Sequence, residues 1–356
     1  MKRRKYSVLA VDGGGIRGVI PARILAAIEH QLEDRPIAHL FDMVAGTSTG
    51  GIIALGLTKP SDDPAERKDP AYSAAEIADL YVQHGRELFP DEWLLKARTL
   101  FGLAEPRYPA DAIEALMHER FGDTKLSQAL TEVVIPAYDL SAPAPFFFKR
   151  SYAREEGRGW DVDMAVVARA TSAAPTYFDP ACLPAFPGED SEHALVDGGM
   201  FANNPATAAY ADALDLWGTQ PEIHVVSLGT GRAPQQRGHG AIPVAYEDAL
   251  HWGLARWARP TLEVVFDGVA KAVEYQMLRL CRHGDGSASR YYRLQSPLPT
   301  ASHAMDDASE GNVKRLLADA DQLLHDDAAA KTFDDICAML RDVAADRDAS
   351  AVVTAR

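Results

Sequence analysis

Apolar runs that lead through glycine-rich turns into apolar helices recur at the start of the chain. Tyr6–Val11 is a short apolar run, and after one such turn Val19–Leu32 carries apolar residues at the spacing of a single helix face. A second run, Phe41–Ala45, leads through another turn into the apolar stretch Ile52–Leu57. Two successive strand–turn–helix units predict a parallel sheet covered by helices, which is an α/β fold.

The mixed pattern continues along the rest of the chain. Ser73–Glu76 has the spacing of a capping box and predicts a helix that ends near Phe89, and Pro109 and Gly122 bracket another helix. From about Tyr246 the pattern is mainly helical. Further strands are predicted at Val133–Leu140, Ala144–Lys149, Ala194–Val196, Ile223–Leu228 and Tyr291–Leu294.

No linker divides the chain, so we predict a single domain over residues 1–343. Its core would span residues 6–231, and its mainly helical part residues 246–343. Residues 344–356 are expected to form a flexible tail, because chain ends fray unless other residues hold them.

Composition and charge limit the classes of molecule that this chain can bind. Apolar residues make up 47% of the 356 residues and charged residues 24%, which excludes a disordered or fibrous chain. The net charge of −15 disfavours nucleic acid as a partner, and it also disfavours free adsorption to anionic membranes. Three widely spaced cysteines predict no disulfide framework and no metal site: Cys182, Cys281 and Cys337.

The N-terminus is basic and then apolar, as in a signal peptide, but its apolar run Val8–Val11 is too short for one. No stretch reaches the length of a membrane span. We therefore expect a cytoplasmic protein that meets membranes, if at all, at their periphery.

The segment between the second predicted strand and its helix matches the pattern G-x-S-x-G. Ser48 is at its centre, flanked by Gly46 and Thr47 before it and by Thr49 and Gly50 after it. A serine on such a sharp turn projects its hydroxyl out of the backbone, and the following helix directs amide groups towards it. The alternative is a glycine-rich helix start without chemistry, which the flanking strand and apolar helix make less attractive.

Gly13–Gly18 admits two functional interpretations. It satisfies G-x-G-x-x-G after a strand, as in dinucleotide-binding proteins, but those also need an acid at the end of a second strand. Glu33 and Asp34 have the right distance but follow a predicted helix. Alternatively, the amides of Gly13, Gly14 and Gly15 form an oxyanion hole. This interpretation is the simpler one, because a single active site would then explain both this glycine loop and the turn that carries Ser48. A purely structural tight turn is the third possibility.

Asp197 follows a short predicted strand and precedes two glycines, at the sheet edge where sites of α/β proteins form. Taken alone, it is better explained as a solvated turn aspartate. Asn203–Pro205 is interpreted as a structural turn and helix start. Among the histidines, His251, His283 and His303 come late enough for a Ser–Asp–His order, but none has a setting that singles it out.

Five stretches together resemble the patatin-like phospholipases: Asp12–Gly18, Gly46–Gly51, Ala170–Phe178, Asp197–Gly199 and Phe201–Pro205. The resemblance is clear from Val8 to about Gly231 and weaker to about Leu324, and we expect the bacterial type of the family.

The resemblance implies a three-layer α/β/α fold with a mostly parallel sheet and hydrolysis of phospholipids or other acyl-ester lipids. It makes Ser48 the nucleophile, Asp197 the general base, and the Gly13–Gly15 amides, helped by Arg17, the oxyanion hole. It implies no cofactor and no metal. Three alternatives stay open: a hydrolase with a Ser–His–Asp triad, a nucleotide-binding oxidoreductase, and an inactive binding module of the same fold.

One further segment is a candidate contact for lipid. Arg86–Gly102 contains Phe89, Trp93 and Phe101, and we expect it to cap the site and meet the acyl chains. The alternative is that these residues belong to ordinary core helices.

Overall fold

A computed structural model describes residues 3–89, 108–156, 159–219, 221–232, 250, 254–281 and 291–354. Its strands are β1 (Lys5–Val11), β2 (Met43–Gly46), β3 (Glu132–Asp139), β4 (Ala144–Lys149), β5 (Ala181–Leu183), β6 (His193–Asp197), β7 (Glu222–Leu228) and β8 (Tyr291–Leu294). Its helices are α1 (Val19–Gln31), α2 (Ile37–Leu40), α3 (Thr49–Thr58), α4 (Ala74–Leu88), α5 (Ala110–Phe121), α6 (Arg150–Ala153), α7 (Met164–Thr171), α8 (Gly199–Ala202), α9 (Ala206–Trp217), α10 (Leu254–Leu280), α11 (Glu310–Leu324) and α12 (Asp327–Thr354).

The strands form one sheet in the order β5-β6-β3-β2-β1-β7-β8, with β4 paired to β3 beside this path. The five strands from β3 to β8 in this order run parallel, whereas β4 and β6 are antiparallel to β3. The predicted parallel sheet is therefore confirmed, and an antiparallel edge is added to it.

Strand β3 brings the ends of two other strands together. Val134 pairs with both Ala45 and Lys149, and Ala137 pairs with both Phe146 and Asp197. Because a strand residue has one partner on each side, β4 occupies one edge of β3, while β2 and β6 share the other. Since β2 is parallel and β6 antiparallel to β3, their carboxyl ends point at each other, about 10 Å apart along β3.

Helices cover both faces of the sheet. Leu9 and Val11 of β1 belong to one core with residues of α1 and α3. The alternate residues Val8 and Ala10 belong to a second core with residues of α9 and α10. The fold is thus the three-layer α/β/α arrangement that was predicted.

At the end of the chain, α12 continues to Thr354. Arg347 donates hydrogen bonds to the carbonyl oxygens of His39 and Leu40 and forms an ion pair with Asp42 at 2.8 Å. These contacts hold the chain at Arg347, and the flexibility expected of residues 344–356 stays a prediction. These contacts reach back some 300 residues, so a local sequence window does not reveal them.

Candidate active site

Ser48 lies in the turn between β2 and α3 with an unusual backbone conformation, φ 55° and ψ −123°. Side chains at Gly46 and Gly50 would collide with the carbonyl oxygens of Gly50 and Val11, so the turn needs both glycines. The side chain of Ser48 is partly exposed, whereas Thr47 and Thr49 are buried. This turn has the geometry that the G-x-S-x-G pattern predicts.

The two threonines that flank Ser48 anchor the turn. The Thr47 hydroxyl donates to the carbonyl oxygen of Ala202 at 2.6 Å, and the Thr49 hydroxyl lies 2.5 Å from the hydroxyl of Tyr81. The turn is therefore connected both to α8, which follows Asp197, and to α4.

Thr171, at the end of α7, links the nucleophile turn to β3. Its hydroxyl accepts a hydrogen bond from the Ser48 N–H at 3.0 Å and donates one to the carbonyl oxygen of Pro136 at 2.7 Å. Pro136 lies on β3 between the residues that pair with β2 and those that pair with β6. Sequence reasoning assigned no role to Thr171, although it lies in the Ala170–Phe178 stretch.

Asp197 ends β6 and is completely buried. Its Oδ1 accepts a hydrogen bond from the Gly199 N–H at 2.7 Å. Its Oδ2 has no hydrogen-bond partner of normal geometry among the residues that the structure describes. Burial raises the pKa of Asp197 to about 7, while the neighbouring Ser48 hydroxyl and the Gly199 N–H lower it to a smaller extent.

Gly13 brings the glycine loop next to Ser48, because a Cβ at Gly13 would lie 3.2 Å from the Cβ of Ser48. The N–H of Gly13 donates to the carbonyl oxygen of Asn203 at 3.0 Å, and its own carbonyl accepts from the Thr230 hydroxyl at 2.7 Å. The Gly13 amide, which was expected to serve an oxyanion hole, thus already has an acceptor.

The amides of Gly14 and Gly15 have no acceptor within the described part of the chain. Both positions require glycine, because a Cβ at Gly14 would collide with Thr230, and Gly15 has φ +60° and abuts the carbonyl of Met305. Two neighbouring free amides remain as the candidate oxyanion hole.

Arg17 braces this loop, since its Nε donates to the carbonyl oxygen of Gly14 at 3.3 Å. Burial lowers the pKa of Arg17, and the negative charges of Glu263 and Asp267 on α10 partly oppose this. The described contact is thus with the loop backbone, which makes Arg17 a positioning residue.

Asp12, the first residue of the loop, is buried and pairs with Arg293 on β8. The two guanidinium nitrogens of Arg293 donate to the two carboxylate oxygens at 2.9 and 2.6 Å, and one of them also donates to Ser227 at 2.8 Å. Burial raises the pKa of Asp12, and the charge of Arg293 opposes this. No local signal at Arg293 pointed to this pair.

Asn203 and Asn204 have different roles. Asn204 Oδ1 accepts from the Ala206 N–H at 3.0 Å at the start of α9, as the structural interpretation predicted. Asn203 instead holds Gly13 through its backbone, and its side chain lies beside Gly13 and Gly199.

Among the described residues, the structure supports neither a catalytic histidine nor the nucleotide-binding interpretation. His303 contacts the carbonyl oxygen of Leu298, and His193 lies between Asp139 and Glu189. Within the described residues no histidine is hydrogen-bonded to Ser48 or Asp197, and His251 and His283 lie outside them. Glu33 and Asp34 are exposed in the turn after α1, not at the end of a strand.

The predicted cap, Arg86–Gly102, lies outside the described residues from residue 90 onward. Phe89, just before that point, is partly buried against the first core, with its ring 5.9 Å from Tyr108 and 6.4 Å from Phe178. Tyr108, where the described chain resumes, also contacts Phe178 at 5.7 Å.

No group of histidine, cysteine and acidic side chains that could hold a metal ion occurs among the described residues. Within the same residues, no helix combines the length and the apolar character needed to cross a bilayer.

Comparisons with known proteins show which family this chain is similar to. The family model of the patatin-like phospholipases matches residues 9–210. Patatin-like protein 2 of Arabidopsis thaliana is 33% identical, over 93% of this chain and 86% of its own. A Solanum tuberosum protein named probable inactive patatin-3-Kuras 1 is 30% identical, over 89% of this chain and 86% of its own. The solved structure of human GIVD cytosolic phospholipase A2 gives a TM-score of 0.42 at 12% identity, over 96% of this chain and 60% of that one. Because these sequence relatives are plant proteins, the bacterial type stays a prediction.

Proposed function

The chain belongs to the patatin-like phospholipase family, and from that premise we propose that it hydrolyses acyl esters of lipids, with Ser48 as nucleophile and Asp197 as general base. The observation that carries this proposal is the carboxylate of Asp197, which is completely buried next to the Ser48 hydroxyl. A base whose pKa lies near neutrality suits proton transfer at physiological pH.

In the first half-reaction, Oδ2 of Asp197 accepts the Ser48 hydroxyl proton while Oγ attacks the ester carbonyl carbon. The resulting oxyanion receives hydrogen bonds from the Gly14 and Gly15 amides. The intermediate then collapses: the alkoxide takes the proton from Asp197 and leaves as an alcohol, and the acyl group remains on Ser48.

In the second half-reaction, a water attacks the acyl-enzyme and gives its proton to Asp197. The carboxylic acid leaves, and the proton returns to Ser48. Each proton that Asp197 accepts is thus returned within the same half-reaction, so the cycle requires no metal and no histidine.

An inactive binding module of the same fold is the second candidate, because one relative carries the name of a probable inactive patatin. Against it stands the strained conformation of Ser48, which costs folding free energy and persists most often where function needs it. A triad hydrolase lacks support within the described residues, since neither Ser48 nor Asp197 is bonded to a histidine there.

A fluorophosphonate probe tests the proposal directly. An activated serine oxygen displaces fluoride from the phosphorus of the probe, so mass spectrometry should find the adduct on Ser48, together with hydrolysis of phosphatidylcholine or 4-nitrophenyl esters. Ser48→Ala should lose both labelling and hydrolysis, whereas Ser61→Ala, in the polar loop after α3, should keep both. Absence of labelling and of hydrolysis in the wild type would favour the inactive module.

A further inference from the structure

The end of α7 and the two residues after it contact the main chain of both proposed catalytic residues. The hydroxyl of Thr171, the last residue of α7, accepts a hydrogen bond from the Ser48 N–H at 3.0 Å. Two residues later, the carbonyl oxygen of Ala173 accepts a hydrogen bond from the Asp197 N–H at 3.0 Å. One short segment thus holds the backbone of the nucleophile and that of the base.

A gap in the pairing of β3 gives this segment its contact with the sheet. The described pairs with β2 end at Val134 and those with β6 begin at Ala137, so Ile135 and Pro136 lie between them on that edge. A proline fits in such a gap because it has no N–H that would need a strand partner. Its carbonyl oxygen does need a donor, and the Thr171 hydroxyl donates to it at 2.7 Å.

The same carbonyl oxygen lies against the residue that follows the proposed base. A Cβ at Gly198 would lie 2.3 Å from the carbonyl oxygen of Pro136, so a side chain there would displace the main chain. The Thr171 hydroxyl therefore joins the N–H of Ser48 to the point on β3 where the chain after Asp197 rests. A change in this hydroxyl should alter how the two side chains face each other.

Ser48 needs such a restraint because its backbone is strained. A φ of 55° persists at a serine only where the surrounding structure imposes it. The Thr171 hydroxyl is an acceptor that helps to impose it, since it receives the N–H of the strained residue itself. Without this acceptor the N–H would be left without a partner, and the turn is expected to shift until the amide finds another one.

The methyl group of Thr171 has a separate role in packing. Thr171 is completely buried, and a Cβ at Gly51 of α3 would lie 2.7 Å from its Cγ2. Because the hydroxyl and the methyl group contact different parts of the molecule, a single substitution can remove one and keep the other.

We propose that Thr171 is a positioning residue, which holds the hydroxyl of Ser48 against the carboxylate of Asp197 by fixing the main chain of the nucleophile turn. It acts through Ser48 and not on the ester. This proposal rests on the proposed function, since it needs a proton transfer from Ser48 to Asp197.

The test compares Thr171→Val, which keeps the methyl group and loses the hydroxyl, with Thr171→Ser, which does the reverse. Thr171→Val should lower kcat for 4-nitrophenyl butyrate by about tenfold to a hundredfold with little change in KM, because a displaced nucleophile slows the chemical step more than it weakens binding. Thr171→Ser should keep kcat near that of the wild type.

The pH profile adds a readout that a merely structural role would not move. The groups that lower the pKa of Asp197 against the larger effect of burial are the Ser48 hydroxyl and the Gly199 N–H. If Thr171→Val withdraws the Ser48 hydroxyl, the carboxylate loses a donor and its pKa rises further. The midpoint of kcat/KM against pH should then move upward from about 7, and Thr171→Ser should leave it in place.

Thr58→Val is the matched control. The Thr58 hydroxyl is also completely buried and donates to a carbonyl oxygen, that of Ala54 at 2.7 Å, but it lies at the far end of α3 from Ser48. This variant should keep both kcat and the midpoint. If the thermal midpoint shows that Thr171→Val is not folded, Thr171→Ala, which also lacks the hydroxyl, takes its place with the same expectation.

Four outcomes would overturn the proposal: a wild-type kcat in the folded variant without the hydroxyl, a fall in kcat without a shift of the pH midpoint, an equal fall in Thr171→Ser, or an equal fall in Thr58→Val. The last two would assign the loss to packing or to general damage. A wild type that cleaves no ester would instead overturn the proposed function, and this proposal with it.

Discussion

The backbone N–H of Gly13 donates to the carbonyl oxygen of Asn203 at 3.0 Å, which ties the glycine loop to the segment that follows Asp197. The other side of Gly13 is held as well, because its carbonyl oxygen accepts from the Thr230 hydroxyl at 2.7 Å. Gly13 thus holds the loop in place, and the neighbouring Gly14 and Gly15 amides, which have no acceptor among the described residues, are the amides we propose for the oxyanion hole.

Thr230→Val should slow catalysis without preventing folding. Valine has the shape of threonine but cannot donate to Gly13, and a buried carbonyl left without its donor costs about 1–3 kcal/mol. We expect kcat to fall more than KM changes, because the loop amides act chiefly on the oxyanion. Thr230→Ser keeps the hydroxyl and serves as the control. Wild-type kcat in Thr230→Val would show that this hydrogen bond does not position the amides.

Ser48→Gly and Ser48→Ala should both be inactive, but they should differ in stability. At φ 55° and ψ −123° a side chain is strained and glycine is not, so the glycine variant should unfold at a higher temperature than the alanine variant. The expected difference in free energy of unfolding is about 1 kcal/mol. Ser61→Gly and Ser61→Ala, in the polar loop after α3, are the control pair. At that position the glycine variant should not unfold at a higher temperature than the alanine variant. Equal stability of the two Ser48 variants would contradict the strain.

The rate of ester hydrolysis should rise with pH through about 7. Asp197 accepts a proton only as a carboxylate, and burial raises its pKa to about 7, so kcat/KM should be low at pH 5 and level off above pH 8. His193, whose pKa is also raised, is the control. His193→Asn should leave the midpoint in place, and a midpoint that moves with this variant would assign the titration to the histidine.

Asp197→Asn should increase stability more at pH 8 than at pH 5. The pKa of Asp197 is raised from 3.8 to about 7 on folding, so the folded protein binds this proton more tightly than the unfolded chain. The wild type therefore loses stability as pH rises towards 7, whereas asparagine has no such dependence. Denaturant unfolding should show the advantage of Asp197→Asn growing by about 2 kcal/mol between the two pH values. No growth would mean that burial does not penalise this carboxylate.

Breaking the Asp12–Arg293 pair should be costly, and removing both charges much less so. Arg293→Met leaves a buried carboxylate without its partner, for which about 3–5 kcal/mol is expected. Asp12→Asn combined with Arg293→Met should recover more than half of this loss in denaturant unfolding. Lys314→Met breaks an exposed pair with Glu310 and should cost less than about 1 kcal/mol. Additive effects at Asp12 and Arg293 would exclude the coupling.

Much of the fold could be predicted because its signals are local. The strand–glycine turn–helix units around Asp12–Gly18 and Gly46–Gly51 follow from apolar spacing and from the few residues that can form such turns. The same local chemistry predicted the turn at Ser48 and the strand that ends at Asp197. The capping box at Ser73 and Glu76 is also present, with both hydrogen bonds made.

Local sequence patterns could not predict which distant residue each buried polar group would contact. The amide of Gly13 was expected to be free, and its acceptor, Asn203, lies on a segment 190 residues later. The tail was expected to fray, and Arg347 holds it against residues near the N-terminus. No residue near Asp12 in the sequence indicates that Arg293 is its partner. The two side chains meet only because the sheet places β8 beside β7 and β7 beside β1.

The sequence by itself determined the α/β class and the two glycine turns, since backbone preference and side-chain chemistry act over a few neighbouring residues, whereas the pairing of Ser48 with Asp197 was a candidate only through the family resemblance. Only the tertiary structure decided that β2 and β6 share one edge of β3, which brings the turn of Ser48 to the end of the strand that carries Asp197. It also decided that Asp197 is buried enough for its pKa to rise to about 7. Strand order and burial depend on how distant segments pack against one another, and no short stretch of sequence contains that information.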